Sequence, residues 1–330
     1  MIDFVSWMKG IEWYDNHKLS VILACLRKAY WHYEFRAPSA TPEEPTGLAS
    51  TVGPGADFGS CIHSGFGAYY GLWGKASEEE RRQASFMSFN KKYAHLFRGR
   101  EDYISSKEGR KHTLENGLDI LDCYYDQFLI EDHKWRPVEV ELAAIYPFIP
   151  RPDEPDFPPF WYVMRADGVW EYVATGEWYV QETKTTSGGV ARELKRLHVN
   201  RQTTGYAAVL SEFPDGRRIR GVVPNVVLIA IGKRDAGRDM IAKYPYDYRS
   251  WRRQTINIVQ RWRAIRAEAN GKGVVDVLDI YTQNDGECTK YGLCPFYDAC
   301  DFGAGAMDAV VYKFTPNVWN PLNSLAGEDA

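Results

Sequence analysis

The feature that most constrains this chain is the stretch from Phe160 to Lys184, in which two runs rich in aromatic and β-branched residues flank Ala174-Thr175-Gly176. That composition is the signature of a β-hairpin with a short turn. A two-residue loop at Ala174-Thr175 pairs Asp167 directly with Glu182. A three-residue loop with Gly176 in the left-handed region shifts the register by one position and leaves the two carboxylates neighbours. Directly opposed side chains stand about 5 Å apart at Cβ, and like charges there destabilise a sheet unless something compensates them. A divalent cation is the obvious compensator. Lys184 follows Glu182 by two residues, so a strand of period two projects both from one face.

The chain around the hairpin is that of an ordinary globular protein, with 45% hydrophobic and 25% charged residues among 330. That length allows one elaborated domain or two small ones. A formal net charge of -4 carries no global basic signal, so any contact with nucleic acid must come from a local patch. No apolar run approaches the roughly 18 residues of a membrane span, and no cleavable leader is evident, so the expectation is a soluble, cytoplasmic protein.

Helical spacing is expected over residues 11 to 36, with Ser20 as a cap, and from Phe58 to Tyr70, where glycines open a helix carrying His63. Further helices are expected over 77 to 97, begun by the capping pattern Ser77 to Glu80, and over 108 to 130. Pro38 to Pro54 reads as an exposed loop, Val138 to Phe148 as a strand, and Pro147 to Pro159 as a loop leading into the hairpin. Beyond it come a helix from Val190 to Leu210, a buried strand from Val222 to Ile231 interrupted by Pro224 and Asn225, and a helix from Ser250 to Ala269. After Phe302 the composition is that of a loosely structured tail, and the expected division is a single domain over 1–302 with a tail over 303–330.

Taken in order, His63, Asp167 before Gly168, Glu182-Thr183-Lys184 and Gln202-x-x-x-Tyr206 resemble the RecB-like branch of the PD-(D/E)XK nuclease superfamily. The resemblance implies an α/β fold with a restriction-endonuclease-like core, a mixed central sheet flanked by helices, and helical N- and C-terminal additions. It implies that His63, Asp167, Glu182 and Thr183 bind Mg²⁺ or Mn²⁺, while Asp167, Glu182 and Lys184 carry catalysis, Lys184 assisting the attacking water. Either Glu139 or Glu141, on the preceding strand, is available as an outer carboxylate. Gln202 and Tyr206 share a helix face. In the family that face meets nucleic acid, and the nearby Arg192, Lys195, Arg196 and Arg201 would contact phosphates.

Six cysteines occur, and Cys288, Cys294 and Cys300 cluster in a way that favours a metal or cluster site over disulfides in an intracellular chain. This cluster resembles the C-terminal cysteines of iron–sulfur nucleases of the same branch, including CRISPR-adaptation and phage or bacterial recombination nucleases. Those proteins draw a fourth cysteine from an N-terminal helix of the form Cys-x-Arg-x-x-Tyr, which Cys25, Arg27 and Tyr30 match. The resemblance implies a [4Fe–4S] cluster on Cys25, Cys288, Cys294 and Cys300 that clamps the two ends of the chain together. The family's usual Cys-x-x-Cys is replaced by five intervening residues between Cys288 and Cys294. Zinc on the same thiolates, and unligated buried thiols, remain open. Cys61 and Cys123 fall outside the pattern.

The implied function is metal-dependent DNA hydrolysis by an exonuclease acting on single strands or DNA ends, in recombination, repair or phage DNA processing, within a bacterial cell or phage-infected host. A helicase or recombinase is the partner class the resemblance brings with it. The rival is a non-catalytic nucleic-acid-binding or scaffold subunit that keeps the fold. The oligomeric state is not legible in the residues.

Overall fold

Caps and strand alternation account for most element boundaries in the computed structural model, which describes residues 11–35, 47–48, 53–213, 219–290, 293–301 and 314. The expected loop between Pro38 and Pro54 and the expected tail lie almost wholly outside these residues. In chain order the elements used below are β1 (Trp13–Asp15), α1 (Asn16–Ala24), α2 (Pro54–Gly71), α3 (Glu78–Leu96) and α4 (Leu114–Asp132). There follow β2 (Trp135–Phe148), β3 (Phe160–Tyr172), β4 (Glu177–Thr186), α5 (Val190–Leu197), α6 (Arg201–Leu210) and β5 (Ile219–Leu228). The last are β6 (Ala236–Arg238), β7 (Ile241–Ala242), α7 (Pro245–Ala269) and α8 (Val274–Ile280).

These elements form two compact units. The first comprises Met1–Thr51, Ala144–Met164 and Arg253–Ala330. In it β1 pairs in parallel with the start of β3, Trp13 opposite Trp161. Asp15, rather than Ser20, caps α1, its Oδ1 accepting the Lys18 N–H at 2.6 Å. The helix expected over residues 11 to 36 does not run through: it stops at Cys25, whose φ of -160° and ψ of 118° are extended. A short turn Leu26–Ala29 and a π-turn Tyr30–Glu34 then complete the segment.

The second unit comprises Val52–Ala143 and Arg165–Arg252. Its sheet is mixed, because β3 and β4 are antiparallel, β4 and β5 parallel, and β6 and β7 each antiparallel to β5. Alternate residues of β5 enter different cores. Val223 and Val227 join Phe58, Phe66, Phe89, Leu121 and Tyr125 of α2, α3 and α4, whereas Val226 and Leu228 join Val190 and Leu197 of α5. Helices thus cover both faces, which is why β5 reads as a continuous apolar run. The strand passes through Pro224 and Asn225 without interruption, contrary to the sequence expectation. Asn225 is accommodated by the Arg238 Nε–H, which donates to its Oδ1 at 2.6 Å.

The capping box at α3 is complete in both directions: Ser77 Oγ accepts from the Glu80 N–H, and Glu80 Oε2 accepts from the Ser77 N–H. The expected helix from Val190 to Leu210 is instead two helices, because Asn200 caps a new start with its Oδ1 on the Thr203 N–H. No helix among the described residues is long and apolar enough to cross a membrane.

His112, buried in the second unit, makes a hydrogen bond of 2.7 Å between Nδ1 and the Tyr103 hydroxyl. Burial first, and the charge of Lys111 second, hold its pKa down at about 4. The unfolded chain takes up a proton near pH 6.5 that the folded ring refuses until about pH 4. Stability therefore falls as the pH drops through that window. Thermal melts should show a steeper decline between those two pH values for the wild type than for His112→Gln. Parallel declines would contradict this assignment.

Candidate active site

Gly59, His63 and Gly67 recur every fourth residue, so they form one stripe along α2. Gly59 is bare for a steric reason, since a Cβ there would stand 3.0 Å from Thr185 Oγ1 of β4, whereas one at Gly67 would meet Glu141 Oε1 of β2 at an ordinary contact distance of 3.5 Å. Gly59 lets the helix lie close to β4, and His63 Nδ1 comes within 3.2 Å of Asp167 Oδ1.

The hairpin has the register of the two-residue reading, since Gly168 faces Gln181 and Tyr172 faces Glu177. The loop is longer than expected, running from Val173 to Gly176. Gly176 adopts φ of 70°, and its N–H donates to the Tyr172 carbonyl at 2.8 Å. Asp167 Oδ2 accepts the Thr183 main-chain N–H at 2.6 Å, and Glu182 Oε1 accepts from Lys184 Nζ at 2.5 Å. Glu182 is 2% exposed, and its Oε2 is buried with no hydrogen-bond partner. Gln181 Nε2 donates to Thr183 Oγ1 at 2.8 Å, bracing the residue between the acid and the lysine.

Electrostatics follow from this packing. Burial lifts Glu182 above the ordinary carboxylate range, Lys184 opposes that rise, and the charge of Asp167 adds to it. Burial also pushes Asp167 upward, but His63, Lys184 and the Thr183 N–H outweigh it and hold the group low. His63 and Lys184 are lowered by burial and raised more by their acidic neighbours, so both favour the cationic form. Two acids and two bases thus balance in a small volume.

Oxygen and imidazole donors suit Mg²⁺ or Mn²⁺. Among the described residues, however, no three His, Cys, Asp or Glu side chains converge at ligating distance. Asp167 spends both oxygens on His63 and Thr183, and Glu182 spends one on Lys184. The orphaned Glu182 Oε2 is the feature that fits a cation, because a buried unpaired carboxylate oxygen otherwise costs free energy.

On α5, Arg192, Lys195 and Arg196 are exposed, and Arg196 pairs with Glu193 at 2.5 Å. Arg196 is also close enough to Lys184 for its charge to be felt there. On α6, Arg201 and Gln202 are half-buried, and Gln202 Nε2 donates to the Tyr206 hydroxyl at 2.9 Å. Tyr206 is only 6% exposed, so its ring packs inside and only its hydroxyl serves Gln202.

In the first unit, Cys25, Cys288, Cys294 and Cys300 line one hollow. The break at Cys25 frees the Ala24 carbonyl, which accepts from Asn284 Nδ2 at 2.7 Å. Arg27 binds the same distant segment, donating to the carbonyls of Leu278 and Tyr281 and to Gln283 Oε1, and Tyr30 stacks on Tyr281 with centroids 4.8 Å apart. The Cys-x-Arg-x-x-Tyr residues therefore grip the chain just before Cys288. Burial raises Cys300 to about 11 and lifts Cys294 also, each thiol feeling its cysteine neighbours. Cys61 is buried elsewhere, and Cys123 Sγ–H lies 3.8 Å from Asp119 Oδ1.

Sequence reasoning left Glu139 and Glu141 equivalent, and it passed over Gly67 and Gln181. The four-residue spacing of Gly59, His63 and Gly67 was the available signal for the glycine. Nothing in the residue types marks Glu141.

No curated protein matches the chain. The crystal structure of SSO0001 is similar at 13% identity, over 64% of this chain and 79% of that one, with a TM-score of 0.29 that supports no argument. The family model described as PD-(D/E)XK nuclease superfamily matches residues 17–301, and the mixed sheet flanked by helices agrees with its restriction-endonuclease-like fold. On that match, the chain belongs to the PD-(D/E)XK nuclease superfamily.

Proposed function

We propose that the chain is a RecB-like deoxyribonuclease that degrades single strands or DNA ends, with a [4Fe–4S] cluster on Cys25, Cys288, Cys294 and Cys300. The observation that carries the nuclease reading is the buried, unpartnered Glu182 Oε2 beside Asp167, His63 and Lys184. His63, Asp167, Glu182 and Thr183 would hold the divalent ion. When bound, such an ion acidifies water and neutralises charge on phosphoryl oxygens.

The chain's own groups do the rest. The Thr183 N–H fixes the Asp167 carboxylate, and His63 holds its other oxygen. Lys184 keeps its ammonium against Glu182, where it orients the attacking water and meets charge that develops on the phosphoryl group. Exposed Arg192, Lys195 and Arg196 are available for sequence-independent phosphate contacts.

Four cysteines around one hollow, gripped through Arg27 and Tyr30, support the cluster reading. One preparation tests both parts. Anaerobically purified protein should be brown with about four irons per chain, and with Mn²⁺ it should shorten end-labelled single-stranded DNA. Zinc in place of iron would overturn the cluster. Intact DNA at millimolar Mn²⁺, with the strand merely bound, would favour the non-catalytic reading.

A further inference from the structure

Glu141 is the one non-glycine residue among those described with a positive φ, at 56°. For a residue with a Cβ this is a strained conformation, and strain of this kind persists where the surroundings over-determine it. One contact holds it: its Oε2 accepts from Arg165 Nε at 2.8 Å, while its Oε1 faces Gly67, where an added Cβ would be 3.5 Å away. The carboxylate lines the same hollow as His63, Asp167 and Thr183. A regular strand would project Glu139 and Glu141 from one face, and the left-handed residue breaks that equivalence.

We infer that Glu141 is a positioning carboxylate of the metal site, acting on the ion through its water shell while Arg165 fixes its orientation; this rests on the divalent-ion reading above. Glu141 Oε1 faces α2 at Gly67, one turn from His63. Glu141 and Asp167 are the two carboxylates among the hollow's lining residues, so Glu141 adds negative potential beside the Asp167–His63 pair. Groups that orient a metal's ligands and waters typically contribute about 10–100-fold to affinity.

The test is titration of the full chain with Mn²⁺, following free ion by electron paramagnetic resonance, alongside thermal melts. Glu141→Gln should weaken Mn²⁺ binding about tenfold. Glu141→Gly should weaken it similarly while the melting temperature holds or rises, because glycine relieves the φ strain. Gly67→Leu, which crowds Oε1 without removing charge, should also weaken binding. Wild-type affinity in Glu141→Gln, with Glu182→Gln impaired, would overturn this role alone. No Mn²⁺ binding by the wild type would overturn the metal-site reading with it.

Discussion

Lys184→Ala is expected to lower Mn²⁺-dependent hydrolysis of single-stranded DNA by about 10²–10³-fold, the usual cost of removing one preorganised group that stabilises transition-state charge. The ammonium stands 2.5 Å from Glu182 Oε1, inside a site where burial strengthens each charge. The substitution has a second effect with a definite sign. Lys184 is the main influence holding the Glu182 pKa down against burial, so its loss lets Glu182 take up protons at higher pH. Residual activity should therefore show an acidic limb displaced upward in pH relative to wild type. Lys184→Arg keeps the charge but not the compact ammonium, and partial recovery of the acidic limb without full recovery of rate is expected. Rates equal in wild type and Lys184→Ala would remove the lysine from the mechanism.

Asp132→Ala is expected to produce the largest loss of stability, about 3–5 kcal/mol, by stranding a buried cation. Arg238 and Asp132 are 2% and 3% exposed at their side chains, and Arg238 approaches Asp132 Oδ1 to 2.8 Å. Tyr70 donates to Asp132 Oδ2 at 3.1 Å, and Arg238 also donates to the Tyr124 hydroxyl and lies over the rings of Phe128 and Trp170. Without the carboxylate the guanidinium keeps its aromatic contacts and is left with only the more exposed Glu131, 3.8 Å away, as counter-charge. A fall in melting temperature of about 4–7 °C follows for a chain of this length. Asp132→Leu combined with Arg238→Met should recover part of the loss, since an apolar pair avoids the unpaired charge. A double variant no better than Asp132→Ala would mean that packing, not charge, dominates there.

The hairpin was the most legible part of the chain, because a pleat of period two ties Asp167 to Glu182 once the register is set. Its loop was misjudged for a local reason: Gly176 in the left-handed region lengthens the connection without changing the register. The break at Cys25 was hidden because apolar residues keep helical spacing on both sides of it, while the partners that stabilise the break, Asn284 and Gln283, lie far along the chain. The second start at Asn200 lies inside a run that reads as one basic helix. Pro224 and Asn225 read as an interruption of the buried strand, yet β5 is held by β4 and by β6 and β7 on its other edge, and tertiary pairing overrode the local preference. The role of Glu141 depends on a backbone angle and on its bond to Arg165, neither of which a residue pattern records.

The most direct measurement is anomalous diffraction from crystals soaked in Mn²⁺. A peak ligated by a His63 nitrogen, an Asp167 oxygen and Glu182 Oε2, with His63 or Thr183 having released Asp167, is the expected result. A Mn²⁺ peak elsewhere in the chain, with His63, Asp167, Glu182 and Lys184 still paired only with one another, would contradict it.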